Sequence, residues 1–103
     1  MRGSGERLTW LERRKHHVES VLEVAESHYQ TLEDVFTERM SHEDLTARQY
    51  GTRLRAEQRA GSGEMREAWV TLCRLRRWHR LYKMMCKQAG RGYYDSRGIG
   101  TGG

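Results

Sequence analysis

The sequence predicts an all-α protein: an elongated antiparallel helical hairpin of two long helices, about 6–40 and 64–89, with a weaker middle helical segment and a Gly-rich C-terminal tail. Three observations predict it. The 103 residues contain no proline, where average usage of about 5% would supply several helix breakers. Apolar residues recur in alternating steps of three and four along two stretches, which is the period of one helix face and not of a strand. Between those stretches Gly61, Ser62 and Gly63 form a cluster that turns the chain.

In the first stretch, taking Leu8 as heptad position a puts Leu8, Lys15, Leu22, Tyr29 and Phe36 at a, with Leu11, Val18, Ala25, Leu32 and Arg39 at d. Eight of these ten positions are apolar, sustained over four heptads, which is the seam of a helix laid against another helix. Glu12, Glu19, Glu26 and Glu33 form an acidic row at e. Such a helix is about 50 Å long, whereas a compact domain of this size has a radius of gyration near 13 Å. An equally long partner is therefore expected.

The middle segment, 42–60, is weakly patterned, with Leu45, Tyr50 and Leu54 as its sizeable apolar residues and Gly51 in its interior, where glycine costs about 1 kcal/mol relative to alanine. Ser41, followed three residues later by Asp44, is the expected N-cap. The third stretch, Glu64 to Ala89, puts Met65, Leu72, His79 and Cys86 at a, and Ala68, Leu75, Tyr82 and Ala89 at d. Arg76 and Lys83 at e are expected opposite the glutamate row, and Gly90 is the expected C-terminal glycine of the helix. This divides the chain into a single helical domain, 1–89, and an extended tail, 90–103, with six glycines in fourteen residues.

The net charge of +5 conceals a split. Residues 1–45 hold ten acids and six Lys or Arg, while residues 46–103 hold four acids and thirteen Lys or Arg. A basic half attracts acidic protein surfaces, RNA or anionic lipid. Mean hydropathy is −0.95, and a chain this short buries only about two-thirds of the surface that its unfolded form exposes. Cys73 and Cys86, about 20 Å apart along one helix, are beyond disulfide reach, which implies an intracellular reducing compartment. No apolar run approaches the length of a membrane span, so no transmembrane segment is expected and any membrane association would be peripheral, through a membrane complex. The start, MRGSGERLTWLERRKHH, is rich in arginine like a mitochondrial address, although Glu6 and Glu12 depart from that pattern.

The chemistry-bearing patterns are absent: no paired Cys motif, no HExxH, and no glycine-rich loop between a strand and a helix. No enzyme activity, cofactor or metal is expected. The segment CRLRRWHRLYKMMCK, residues 73–87, instead combines cations with apolar residues on two sides of one helix. Val70, Leu81 and Met84 lie on its back, Trp78 and Met85 on its g side, and Val21 and Val35 on the g side of the first helix. A helix apolar on its back as well as its seam is usually covered on both. Val70, Trp78, Leu81, Met84 and Met85 are therefore the candidate protein-contact residues of a non-catalytic structural or accessory subunit of a large multi-protein assembly, with mitochondrial respiratory and ribosomal complexes as examples.

The alternative is an RNA-binding protein that uses the basic, aromatic stretch 68–94, in which Arg74, Arg77, Arg80, Lys87 and Arg91 contact phosphates while Tyr93 and Tyr94 stack on unpaired bases. A third reading is a coiled-coil homodimer adaptor paired through the first helix's heptads. RLYKMM, residues 80–85, shares its Leu-Tyr with the Leu-Tyr-Arg signature of small mitochondrial helical accessory proteins. Lys83 stands in place of the arginine and no helical segment follows, so the chain is not assigned to that family.

Overall fold

A computed structural model describes residues 4–61 and 63–96, the side chains of Ser4 and 92–96 excepted. The described residues form three helices and no strand: α1 (Ser4–Ser41), α2 (Ala47–Arg59) and α3 (Glu64–Ser96). α1 and α3 pack against each other as a helical hairpin, and the predicted seams meet. Leu11, Val18, Tyr29 and Phe36 of α1 and Ala68, Leu72 and Tyr82 of α3 are the buried residues, and every one occupies an a or d position. The two exceptions within the first seam behave as their chemistry requires, Lys15 being half-buried and Arg39 exposed.

Two boundaries differ from the sequence expectation. α1 continues through Ser41, whose hydroxyl donates to the Glu38 carbonyl at 2.6 Å, and the N-cap of α2 is Thr46. Its hydroxyl accepts from the Gln49 backbone N–H while the Gln49 side chain accepts from the Thr46 N–H, which is a complete capping box. A Gln at the third helical position reaches back to the cap backbone, as the motif requires of Glu or Gln; Asp44, three residues after Ser41, is one carbon shorter. The second difference is at Gly90. α3 runs through it to Ser96, because the glycine does not adopt the positive φ that terminates a helix. Among the described glycines only Gly63 does, at 129°, in the turn before α3, where its carbonyl accepts the first bond of the helix from Glu67. Of the expected tail, 97–103 lies outside the described residues.

The chain divides into two compact units, residues 1–21 with 75–103 and residues 22–74. The second contains α2. Its core is Tyr29, Ala68 and Leu72, with Leu22, Ala25, Leu32, Met65 and Trp69 packed around them, and the Tyr29 and Trp69 rings are 5.2 Å apart. α2 buries none of its own residues, so it is held by polar and aromatic contacts. Gln58 donates to the Tyr29 hydroxyl at 2.5 Å, Tyr50 meets the Phe36 ring at 5.8 Å and shares a hydrogen bond with Thr37, and Arg53 pairs with Glu43. Burial pushes the Tyr29 phenol above its ordinary value, against the opposing effect of the Gln58 hydrogen bond.

The described residues of the first unit are segments of α1 and α3. Its core is Leu11, Val18 and Tyr82, lined by Met85, Cys86 and Ala89. Two helices packed on each other bury one stripe each, and among the described residues of the first unit the flanks carry exposed apolar side chains.

Candidate functional site

The flank of α3 in the first unit carries the largest exposed apolar group on that helix. Trp78, Leu81 and Met84 are 50%, 41% and 59% exposed, which is high for side chains of this size. At about 100° per residue they fall within a sector of about 120° that also contains Arg77. Arg80, Lys87 and Arg91, also exposed, border it. The result is an apolar strip in a basic frame. By sequence the first unit holds twelve Lys or Arg against four Asp or Glu, whereas residues 22–74 hold seven against ten.

Trp78 is held in place by its neighbour. Its ring stacks on Tyr82 with centroids 6.0 Å apart and planes 28° from parallel, and Tyr82 is itself a core residue. The Arg14 guanidinium lies 5.9 Å from the Tyr82 ring and 5.9 Å from the Trp10 ring, while its Nε donates to the Tyr82 hydroxyl at 3.4 Å. A cation between two rings is worth about 0.5–1 kcal/mol at an exposed site. Beside this group an apolar cleft of about 470 Å³ opens between Arg7, Trp10, Leu11, Tyr82 and Met85.

Of the sequence-predicted contact residues, the structure brings Trp78, Leu81 and Met84 together in the first unit. Met85 is half-buried and packs on the Leu11, Val18 and Tyr82 cluster, so it supports the fold as well as the cleft. Val70 and Arg74 belong to the second unit, the former half-buried and the latter exposed. Tyr93 and Tyr94 fall within the backbone of α3, and their side chains lie outside the described residues.

Sequence reasoning did not single out Trp10, Arg14 or Val24. Trp10 is 57% exposed and Val24 70%. The available signal was a second series of steps of three and four on α1, hidden by the charged residues interleaved with it.

Within the acidic row of α1, Glu19 has histidine neighbours on both helices. Glu19 lies 3.2 Å from His16 and 3.7 Å from His79, so the half-buried seam histidine of α3 has a carboxylate neighbour. Glu26 and Arg76 also have interaction partners. Burial pushes the Cys86 thiol up, with Lys15 opposing. Among the described residues no group of His, Cys, Asp or Glu is arranged to hold a metal ion, and no helix is long and apolar enough to cross a membrane. Two further clefts among the described residues, one of about 530 Å³ over residues 37–50 and one of about 290 Å³ over residues 45–53, are open surface depressions. Comparison with protein-family models, with curated proteins and with solved structures found no match.

Proposed function

We propose that this chain is a non-catalytic subunit of a larger protein assembly, docking through the exposed flank of α3 in the first unit onto an apolar strip bordered by acidic residues. The observation that supports the reading is the coincidence on one helix face of Trp78, Leu81 and Met84, all exposed, with Arg77 beside them and Arg80, Lys87 and Arg91 at the border. Burying side chains of this kind contributes roughly 1.5–3 kcal/mol each, against about 0.2–1 kcal/mol for an exposed ion pair. The apolar strip therefore supplies affinity, and the cations select a partner of opposite charge.

Partners in the mitochondrial respiratory or ribosomal assemblies belong to this proposal, as does the reducing compartment implied by two free cysteines. RNA is the competing partner, because arginines interleaved with Trp78 and Trp10 match phosphate contact with base stacking. The isolated, intact chain carrying an affinity tag separates the two when purified natively from its own cells, with protein and nucleic acid both measured. A defined set of proteins that survives nuclease and is lost with Leu81→Asp combined with Met84→Asp, at unchanged helicity, supports docking. The same set retained by that variant overturns it. Nuclease-sensitive recovery, with absorbance near 260 nm and a steep loss with salt, replaces it with the RNA reading.

A further inference from the structure

The a and d seam of α1 is occupied by α3 of the same chain, so it is not free to pair two copies. A second seam on α1 is. Every large apolar side chain that α1 leaves exposed among the described residues, namely Trp10, Val21, Val24 and Val35, belongs to one series at positions 7, 10, 14, 17, 21, 24, 28, 31, 35 and 38. The steps are three and four throughout, and all ten residues are exposed. This is the repeat by which two α-helices interdigitate.

The series reads the same in both directions about its midpoint between Val21 and Val24. Laid antiparallel on a second copy of itself, it places Val21 against Val24, His17 against His28 and Trp10 against Val35. Arg7 at one end meets Glu38 at the other. On the flank of the seam, Arg13 comes beside Asp34 and Ser20 beside Ser27. An isologous two-fold contact requires a patch that complements itself in this way, each pairing occurring twice. Like charges would face each other if the two helices ran parallel, Arg7 on Arg7 and Glu38 on Glu38.

A second feature favours the same occupant. The apolar cleft between Arg7, Trp10, Leu11, Tyr82 and Met85 opens beside Trp10, the position that the symmetry sets opposite Val35. From these observations we infer that the chain forms an antiparallel homodimer through the outer face of α1, with Val35 of the second copy entering the Trp10 cleft and Glu38 of the second copy pairing with Arg7. Each half of the series lies within one unit, so the basic unit of one copy receives the acidic unit of the other. The contact draws on α3 through Tyr82 and Met85, which line the cleft, whereas Trp78, Leu81 and Met84 are not among its lining residues.

The test uses the intact chain in analytical ultracentrifugation across about a hundredfold dilution, where a dimer dissociates by mass action. The native chain is expected to be dimeric at the concentrated end. Val24→Asp, at a side chain that is 70% exposed, should raise the dissociation constant about tenfold or more, as truncating a central interface residue does, with helicity unchanged and with the native unfolding midpoint at dilutions where both chains are monomeric. Arg7→Glu and Glu38→Arg should each dimerise poorly alone. Mixed in equal amounts they should form a heterodimer as tight as the native dimer, because each repelling pair becomes attractive in the mixed species, while the loss in each single variant relative to the native chain reports the antiparallel arrangement. A native chain that stays monomeric, a Val24→Asp dimer as tight as the native one, or a mixture that recovers nothing overturns the inference.

Discussion

At the scale of single residues, Tyr29 joins several roles. Its ring packs in the core of the second unit against Trp69, and its hydroxyl is the acceptor through which Gln58 of α2 is held. The phenol is pushed up by burial, so the folded chain holds this proton more tightly than the unfolded chain, whose tyrosines titrate near 10. The sign follows from linkage: the contribution is fully present below a pH of about 10 and is lost as pH rises through the folded value. Chemical denaturation at a series of alkaline pH values should show stability falling above about pH 10. Tyr29→Phe should flatten that fall while lowering stability at neutral pH, because Gln58 loses its acceptor. An equally steep alkaline fall in the variant would show that other groups carry it.

At the scale of elements, the glycines separate what was legible in the sequence from what was not. The seams were legible because burial acts at every a and d position, and an averaged periodicity of ten positions survives Lys15 and Arg39. The helix ends were not, since each is decided by one dihedral angle or one hydrogen bond. Ser41 with Asp44 and Thr46 with Gln49 both resemble a cap, and the longer Gln49 side chain closes the reciprocal pair. Gly90 resembles a terminator, yet α3 passes through it. The difference is measurable. A Cβ at Gly90 meets nothing within 4 Å, and at Gly51 it makes only an ordinary contact with Arg55 at 3.5 Å. Gly90→Ala and Gly51→Ala should each raise the free energy of unfolding by up to about 1 kcal/mol, while Gly63→Ala, at a φ of 129°, should lower it by about 1 kcal/mol or more. Urea melts of the three variants check the signs. Destabilisation by Gly90→Ala would mean that α3 ends there.

For the molecule as a whole, the division into units gives the charge imbalance a place. The split between the two ends of the sequence was legible by counting, but the sequence order hides how it is distributed, because the hairpin returns residues 75–103 to residues 1–21. The return leaves Glu6, Glu12 and Glu19 in the basic unit with twelve cations, and the exposed α3 strip belongs to that unit. The strip itself was legible in Leu81, Met84 and Trp78 because they stand off the seam. The outer series on α1 was less so, because Arg14, His17 and His28 dilute its apolar content to Trp10 and three valines. Two kinds of contribution on one face predict a kinetic separation once the docking partner is purified. Cations at the border act over about a Debye length, near 8 Å in physiological salt, and so govern encounter, whereas apolar side chains act only in contact and govern escape. Arg80→Gln combined with Arg91→Gln should slow association several-fold and flatten its dependence on salt, leaving dissociation nearly unchanged. Leu81→Asp should speed dissociation at every salt concentration with a smaller effect on association. Biolayer interferometry over a salt series reads both rates, and a reversal, with the arginine variant acting on escape, would place the arginines in buried pairs within the contact instead of at its edge.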